Sequence, residues 1–394
     1  MDFDTYIDRR KTNSVKWDGV LKLFGDENVL PMWVADMDFK APPPVVQALI
    51  KRAEHGIYGY PMRPPSFYDA FIDWTLKNHG WAIEKKWLTY SPGVVTALSV
   101  MVLALTKPGD KVLLQPPVYY PFFEVIRRNG RRVVDNPLLL RQGRYDMDFE
   151  DLERSSREKV KLMILCSPAN PVGRVWTYDE LKRVGDFCLK NDIVLISDEI
   201  HSDIVYPGFK HTPAATVSKE VAQRTITCMA PSKTFNLAGL QSSVIIIPNP
   251  ELREKYNRLL HNVHIEMDNV FGLAAFESAY RSGQEWLDEL MRYLHKNLQF
   301  TVEFVEKRIP RIKVIRPEAT YLVWLDCREL GLDDRELKDF MIKKAKVGLD
   351  DGPIFGKSTE GRGSRSHADG EIKTEPAFQG LGVPAHQAYG LVGP

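Results

Sequence analysis

Short apolar runs rich in β-branched residues alternate along this chain with longer amphipathic stretches. The runs at 111–115, 132–134, 161–166, 193–198, 225–228 and 244–248 read as strands. Between two of them, the stretch 177–190 sets Leu181, Val184, Phe187 and Cys188 on one helical face behind a Thr177 cap. This alternation predicts an α/β fold, with a mainly parallel sheet covered by helices on both sides. Ligands of such sheets collect at the carboxyl ends of the strands, and Asn170 and Asp198 fall where two of the runs end. The pattern changes from residue 285 onward. Trp286, Leu287, Leu290, Met291, Leu294 and Leu298 keep helical spacing, strand-like 313–315 and 321–326 follow, and a helix is expected over 334–344. A second, smaller α+β domain hinged on the long helix accounts for this.

Composition narrows the class without choosing a function. The 394 residues are enough for two or three domain-sized units, and 44% hydrophobic with 27% charged residues is ordinary for a soluble globular protein. A formal net charge of +1 gives no global field for nucleic acid or an anionic membrane, so neither is expected as a partner. The 4 cysteines, Cys166, Cys188, Cys228 and Cys327, have no metal-type spacing and suit buried thiols in a reducing compartment. No metal site is expected. Met1-Asp2-Phe3-Asp4 is acidic and lacks an apolar signal region. The nearly apolar stretch 94–105 is too short for a bilayer and is interrupted by Thr96 and Ser99. A cytoplasmic location is the expectation.

The candidate chemistry centres on Ala230-Pro231-Ser232-Lys233-Thr234-Phe235-Asn236-Leu237-Ala238-Gly239-Leu240. Lysine amines form Schiff bases with aldehyde cofactors where their surroundings lower the ammonium pKa. A Ser-Lys-Thr alone is weak, because most lysines lie on solvated surfaces. Two further segments, Ile193 to His201 and Cys166-Ser167-Pro168-Ala169-Asn170-Pro171-Val172-Gly173, strengthen it. Together they read as a pyridoxal phosphate site. Such a site needs a Schiff-base lysine, a partner for the pyridine nitrogen, a ring clamp and a phosphate cradle. Lys233 suits the first role. Asp198, at the end of an apolar strand, suits the second by keeping the pyridine nitrogen protonated. A helix cap or a buried salt bridge is the alternative for Asp198.

These segments resemble fold type I pyridoxal-phosphate enzymes of the class I/II aminotransferase family. Within it, the chain is most similar to the MalY/PatB-type cystathionine β-lyase subgroup. The resemblance rests on Pro31-Met32-Trp33-Val34-Ala35-Asp36-Met37-Asp38-Phe39, on Asp198-Glu199-Ile200-His201-Ser202-Asp203, and on the segment from Pro317 to Asp326. It covers residues 1 to 361. It implies that Asn170 donates to the cofactor's 3′-oxygen with His201 close to the same atom; an Asn-Pro turn and a satisfied core histidine are the alternatives. Tyr119 resembles the aromatic that stacks on the pyridine ring, with Tyr120 one position away. In Ser91-Pro92-Gly93-Val94-Val95-Thr96, the free N–H groups of Gly93, Val94 and Val95 could receive the phosphate, as helix N-termini do, or the segment is a bare Pro-Gly turn. Ser232 could add a hydroxyl. Tyr60 resembles a tyrosine that reaches the phosphate from a neighbouring subunit, which implies a homodimer with shared sites.

The resemblance implies a C–S β-lyase that cleaves cystathionine or related cysteine S-conjugates to a thiol, pyruvate and ammonia. An aminotransferase of the same family, or a cofactor-binding regulatory protein with little catalysis, are the alternatives. Gln241 stands eight residues after Lys233, where many aminotransferases carry a phosphate-binding arginine. The expected domains are an N-terminal segment 1–45 shared between small domain and dimer contacts, a cofactor-binding domain 46–285 and a small domain 286–361. The family's small domain normally supplies a substrate-carboxylate arginine from a strand that follows this point. Beyond Gly361 the chain instead reads Arg362-Gly363-Ser364-Arg365-Ser366-His367-Ala368-Asp369-Gly370, without periodicity, and neither arginine is assigned to that role. Residues 362–394 read as a tail that is out of frame and disordered, open to proteolysis.

Overall fold

Apolar runs that are buried on both faces build the centre of the molecule. The computed structural model describes residues 1–356 and the backbone of His367–Asp369. Strands β1 (Leu88–Ser91), β2 (Lys111–Leu114), β3 (Arg132–Asp135), β4 (Val160–Cys166), β5 (Val194–Asp198), β6 (Thr225–Met229) and β7 (Ser243–Ile246) form a 7-stranded sheet in the order β1-β7-β6-β5-β4-β2-β3. From β6 to β3 all neighbours are parallel, whereas β7 runs antiparallel to both β6 and β1. Each of the expected strands is present. β1 was not expected, because Leu88-Thr89-Tyr90-Ser91 is too polar to read as an apolar run.

Successive residues of a strand face opposite sides, and here each side has its own core. Leu162, Ile164, Cys166, Val194, Ile196, Ile226 and Cys228 pack with Ala97, Leu98, Met101 and Tyr256. Met163, Leu165 and Leu195 pack the other way, against Leu181, Val184, Phe187 and Cys188. The helices that cover the sheet include α1 (Pro65–His79), α2 (Val94–Leu105), α3 (Tyr178–Lys190), a single turn α4 (Pro231–Thr234) and α5 (Pro250–Asn262). α3 starts where Thr177 and Glu180 form a reciprocal capping box. α2 packs Ala97, Leu98, Met101 and Val102 between the sheet and α5, while its Val95 and Leu103 are exposed. Among the described residues, no helix is long and apolar enough to cross a membrane.

The long helix α6 (Gln284–Arg308) buries Trp286, Leu287, Leu290, Leu294 and Leu298 and leads into a second sheet. Its strands β8 (Lys313–Ile315), β9 (Trp324–Asp326), β10 (Asp350–Asp351) and β11 (His367–Asp369) lie in the order β8-β9-β11-β10. The strand expected over 321–326 is shorter. Thr320 takes a left-handed φ of 70°, and the Tyr321 hydroxyl turns to the Ala35 carbonyl at 3.0 Å. The helix expected over 334–344 is α-helical over Asp334–Phe340 and ends in a π-type turn over Met341–Ala345. The backbone of His367–Asp369 takes a strand position although the sequence there has no apolar alternation. The other expectations for 362–394 lie outside the described residues. The N-terminal segment joins the second sheet's side of the molecule, where Leu30–Pro31 pairs parallel with Val347–Gly348.

One close approach locks the two sheets together. The Gly173 carbonyl accepts from the N–H groups of Glu318 at 2.8 Å and Ala319 at 3.0 Å. Glu318 Oε2 in turn accepts from Val175 N at 2.8 Å and Arg174 Nε at 3.1 Å. Gly173 has φ +69°, and a Cβ there would sit 2.5 Å from Pro317 Cβ and 2.8 Å from Pro317 Cα. Gly173→Ala therefore combines left-handed strain with overlap and is expected to cost about 2–5 kcal/mol. Urea denaturation of parent and variant checks this, and a change below about 1 kcal/mol would contradict it.

Candidate active site

Asp198 ends β5, and the parity of the strand aims it. Val194 and Ile196 face the core beneath α2, so Asp198 continues on that face, in register between Cys166 of β4 and Cys228 of β6. It is buried, and its Oδ1 accepts from Ile200 N at 3.2 Å. Burial pushes its pKa up from 3.8 to about 7; the Ile200 N–H opposes this, the Glu199 charge adds to it, and Lys233 also opposes it. Cys166 holds the loop beyond β4, accepting the Asn170 N–H at 3.3 Å and donating to the Pro168 carbonyl at 3.4 Å. Among the described residues, no hydrogen bond occupies the Asn170 carboxamide, which is buried at the same edge.

Lys233 lies past the end of β6, in α4, where Pro231 occupies the first turn. Its half-buried amine donates to the Ala35 carbonyl at 2.6 Å. The surrounding protein lowers its pKa from 10.5 to about 8, against the pull of the Asp36 and Asp198 charges. His201 is buried, and its Nδ1 has no partner. Burial first, and the Lys233 charge second, push its pKa down to about 3, so it is neutral. It is therefore not a satisfied core histidine. Its ring meets Tyr321 edge-on at 5.9 Å.

The two adjacent tyrosines separate by face. Tyr119 packs with the core on the Asp198 side, whereas Tyr120 packs on the other side and meets Phe355. Burial and then the neighbouring Tyr120 and Asp198 charges raise the Tyr119 hydroxyl well above its ordinary value. At the start of α2 the first intrahelical bond runs from Ala97 N to the Gly93 carbonyl, leaving the N–H groups of Val94, Val95 and Thr96 outside the helix ladder. Gly93 is extended, and nothing lies within 4 Å of where its Cβ would be. Ser232 stands one residue before the lysine. Tyr60 is not brought to this site within the chain; it is 93% exposed, in a loop with Ile57, Tyr58 and Met62.

The sequence did not single out several contributors. The Ala35 carbonyl receives both Lys233 Nζ and the Tyr321 hydroxyl. Asn236 clamps the N-terminal strap that carries Ala35 to Phe39, accepting from Met37 N at 3.1 Å and donating to the Met37 and Phe39 carbonyls at 2.7 and 2.8 Å. Ser242, beside the start of β7, has a buried hydroxyl without a partner. The segments carrying Ala35 and Tyr321 were visible as motifs, but only the fold shows that they converge on Lys233.

Pyridoxal phosphate fits what this edge leaves unsatisfied. Lys233 could hold its aldehyde carbon and Asp198 its ring nitrogen. Asn170 and the unpartnered His201 could take the phenolic oxygen, and Tyr119 could cover the ring. The free N–H groups of α2, with Ser232 and the orphaned Ser242 hydroxyl, could take the phosphate. A cationic ring nitrogen beside Asp198 would restore the ionised carboxylate that burial disfavours.

The class I and II aminotransferase family matches residues 27–374. Cystathionine beta-lyase PatB of Bacillus subtilis is 47% identical over 362 residues, covering 92% of this chain and 94% of that protein. Protein MalY of Escherichia coli is 34% identical over 366 residues, 92% of each chain. Among solved structures, cystalysin from Treponema denticola, which contains pyridoxal 5′-phosphate, superposes with TM-score 0.90 at 37% identity, covering 96% of each chain. The pyridoxal-phosphate-bound C–S lyase from Staphylococcus hominis superposes with TM-score 0.87 at 34% identity, over 100% of this chain and 98% of that one.

The two displaced pKa values have opposite signatures in the stability of the cofactor-free chain. Folded Asp198 keeps its proton up to about 7 while the unfolded group loses it near 3.8, so its contribution falls as pH rises through that window. Folded Lys233 loses its proton near 8 while the unfolded group keeps it to 10.5, so its contribution rises with pH between those values. Urea midpoints measured across pH should lose the first slope in Asp198→Asn and the second in Lys233→Met. Parental slopes in both variants would contradict the assignments.

Proposed function

Since the chain belongs to the class I and II aminotransferase family, we infer that it is a pyridoxal-phosphate-dependent C–S β-lyase acting on cystathionine or related cysteine S-conjugates. The observation that carries this is one buried sheet edge holding a lysine and an aspartate, both moved toward neutrality. The likeness to PatB and to the C–S lyase from Staphylococcus hominis supports lyase over transaminase chemistry.

Pyridoxal phosphate, when bound, supplies the electron sink that makes the substrate Cα–H acidic. The chain does the rest. We assign Lys233 as the nucleophile that first holds the aldehyde and, once released, as the base that takes the Cα proton at Nζ. With a pKa lowered to about 8, a far larger share of its amine is neutral near physiological pH than for an ordinary lysine, which both roles need. The Ala35 carbonyl holds that amine by one of its N–H groups and leaves the lone pair to act. Asp198 would keep a proton on the ring nitrogen. Tyr119 would hold the ring face, and neutral His201 and Asn170 would orient the ring oxygen. Gly93, Val94, Val95 and Ser232 would anchor the phosphate. The Cα proton would go to Lys233, the Cβ–S bond would break with the sulfur taking a proton to leave as a thiol, and one water would hydrolyse the remaining three-carbon enamine to pyruvate and ammonia.

A homodimer is part of the same proposal. Tyr60 lies in an exposed apolar loop with Ile57, Tyr58 and Met62, which supports its reaching the phosphate of a second copy. The 4 cysteines are free and buried, which supports a cytoplasmic setting.

Purified protein loaded with pyridoxal phosphate is expected to release thiol, pyruvate and ammonia in equal amounts from L-cystathionine. Lys233→Ala should lower kcat by at least about 10²–10⁴-fold, and Asp198→Ala should fall within the same range while still binding cofactor. Transfer of the amino group to a keto acid without pyruvate release would instead identify an aminotransferase.

A further inference from the structure

Asp203 closes the acidic segment that begins at Asp198, yet the chemistry above makes no use of it. Its side chain is only 3% exposed. Oδ1 accepts from Trp74 Nε1 and from His79 Nε2, both at 2.9 Å and both from α1. Oδ2 accepts from the Thr234 hydroxyl at 2.8 Å. Burial works against a charge here, but the bonds from His79, Thr234 and Trp74 hold the Asp203 pKa below its ordinary value. His79, likewise opposed by burial, is raised by its bond to Asp203. Asp203 is thus an ionised, buried carboxylate pinned to α1.

Thr234 is the residue after Lys233. The turn that carries both spans only Pro231–Thr234 and has no side-chain cap. A single helical turn is unstable alone, because nucleation fixes several dihedrals for one hydrogen bond. Its backbone ties are Phe235 N to the Pro231 carbonyl at 2.9 Å and Leu237 N to the Ser232 carbonyl at 3.0 Å. The Thr234–Asp203 bond is charge-assisted, and so stronger than a neutral one. It connects the turn to a separate rigid helix.

We propose that Asp203 is a positioning residue for Lys233: acting through Thr234, it fixes the turn and hence the direction in which the lysine amine projects. This rests on Lys233 being the Schiff-base lysine of the proposed function. A displacement of about 1 Å at a reacting group can cost about 10²-fold in rate, so the anchor bears on chemistry more than on substrate binding.

Thr234→Val removes the hydroxyl at nearly constant shape and leaves Asp203 its two α1 donors; Thr234→Ser restores the hydroxyl. Three measurements on the full chain test the proposal. One is the rate constant for pyridoxal phosphate capture by the cofactor-free protein, followed by absorbance. The others are kcat and KM of the loaded enzyme, and hydrogen exchange at the Phe235 and Leu237 amides. The valine variant should capture cofactor and turn over about tenfold or more slowly, with KM within about twofold and faster exchange at both amides. The serine variant should recover all three. Parental capture and exchange in Thr234→Val, or failure of serine to restore them, would overturn the proposal. If the valine variant does not fold, Asp203→Asn serves, since it removes the charge that strengthens the bond, and parental capture there is equally decisive against it. A parent protein that captures no cofactor at Lys233 would bring down the functional reading as well, and that result is separate from a variant matching its parent.

Discussion

Enclosing two groups of opposite charge at one sheet edge, and moving both toward their neutral forms, is the constraint that the rest of the structure serves. Asp198 is raised to about 7 and Lys233 lowered to about 8, each chiefly by burial. An isolated buried charge is costly, and a cofactor with a basic ring nitrogen and an aldehyde would match both groups. Bringing the two residues together takes parallel strands β5 and β6 side by side, with α4 placed immediately past the end of β6.

The N-terminal strap and the segment leading to β9 complete this edge from outside the seven-stranded sheet. Asp36 and Asp38 tie the strap to Arg9, and Asp38 also bonds Lys16 and the Trp17 indole, at 2.9 and 2.8 Å. Asn236 binds the same strap from the lysine side, so the Ala35 carbonyl is delivered to Lys233 from two directions. Tyr321 reaches that carbonyl from the segment leading to β9, and its path there is set by Gly173 and Glu318, where the chain between β4 and α3 grips that segment. A change at Gly173 therefore acts on the site without touching it.

The central strands β2 and β4 to β7 were legible in the sequence because they are buried on both faces and so read as apolar runs. Thr177 and Glu180 marked the start of α3 by capping chemistry that depends on local residues alone. The antiparallel turn of β7 was not legible, since a buried strand has the same composition in either direction. Nor was the shortening at Tyr321, where a left-handed Thr320 and a distant carbonyl override a strand-like pattern. Lys233, Asp198 and Asn170 carried their own signals at strand ends. Ala35 and Asn236 act through a backbone atom and a carboxamide, and only the fold brings the segment they hold to the lysine. Tyr119 and Tyr120 lie in the loop between β2 and the helix Pro121–Arg128, and the path of that loop, which a pair of identical side chains cannot express, sends them to opposite cores.

The account stands on Lys233 as the residue that holds the cofactor. The most direct test is borohydride reduction of the protein loaded with pyridoxal phosphate, followed by peptide mapping by mass spectrometry. The expected result is a single pyridoxyl adduct on the peptide containing Lys233, absent from Lys233→Ala. An adduct on another lysine, or a labelled Lys233→Ala variant with parental stoichiometry, would contradict it.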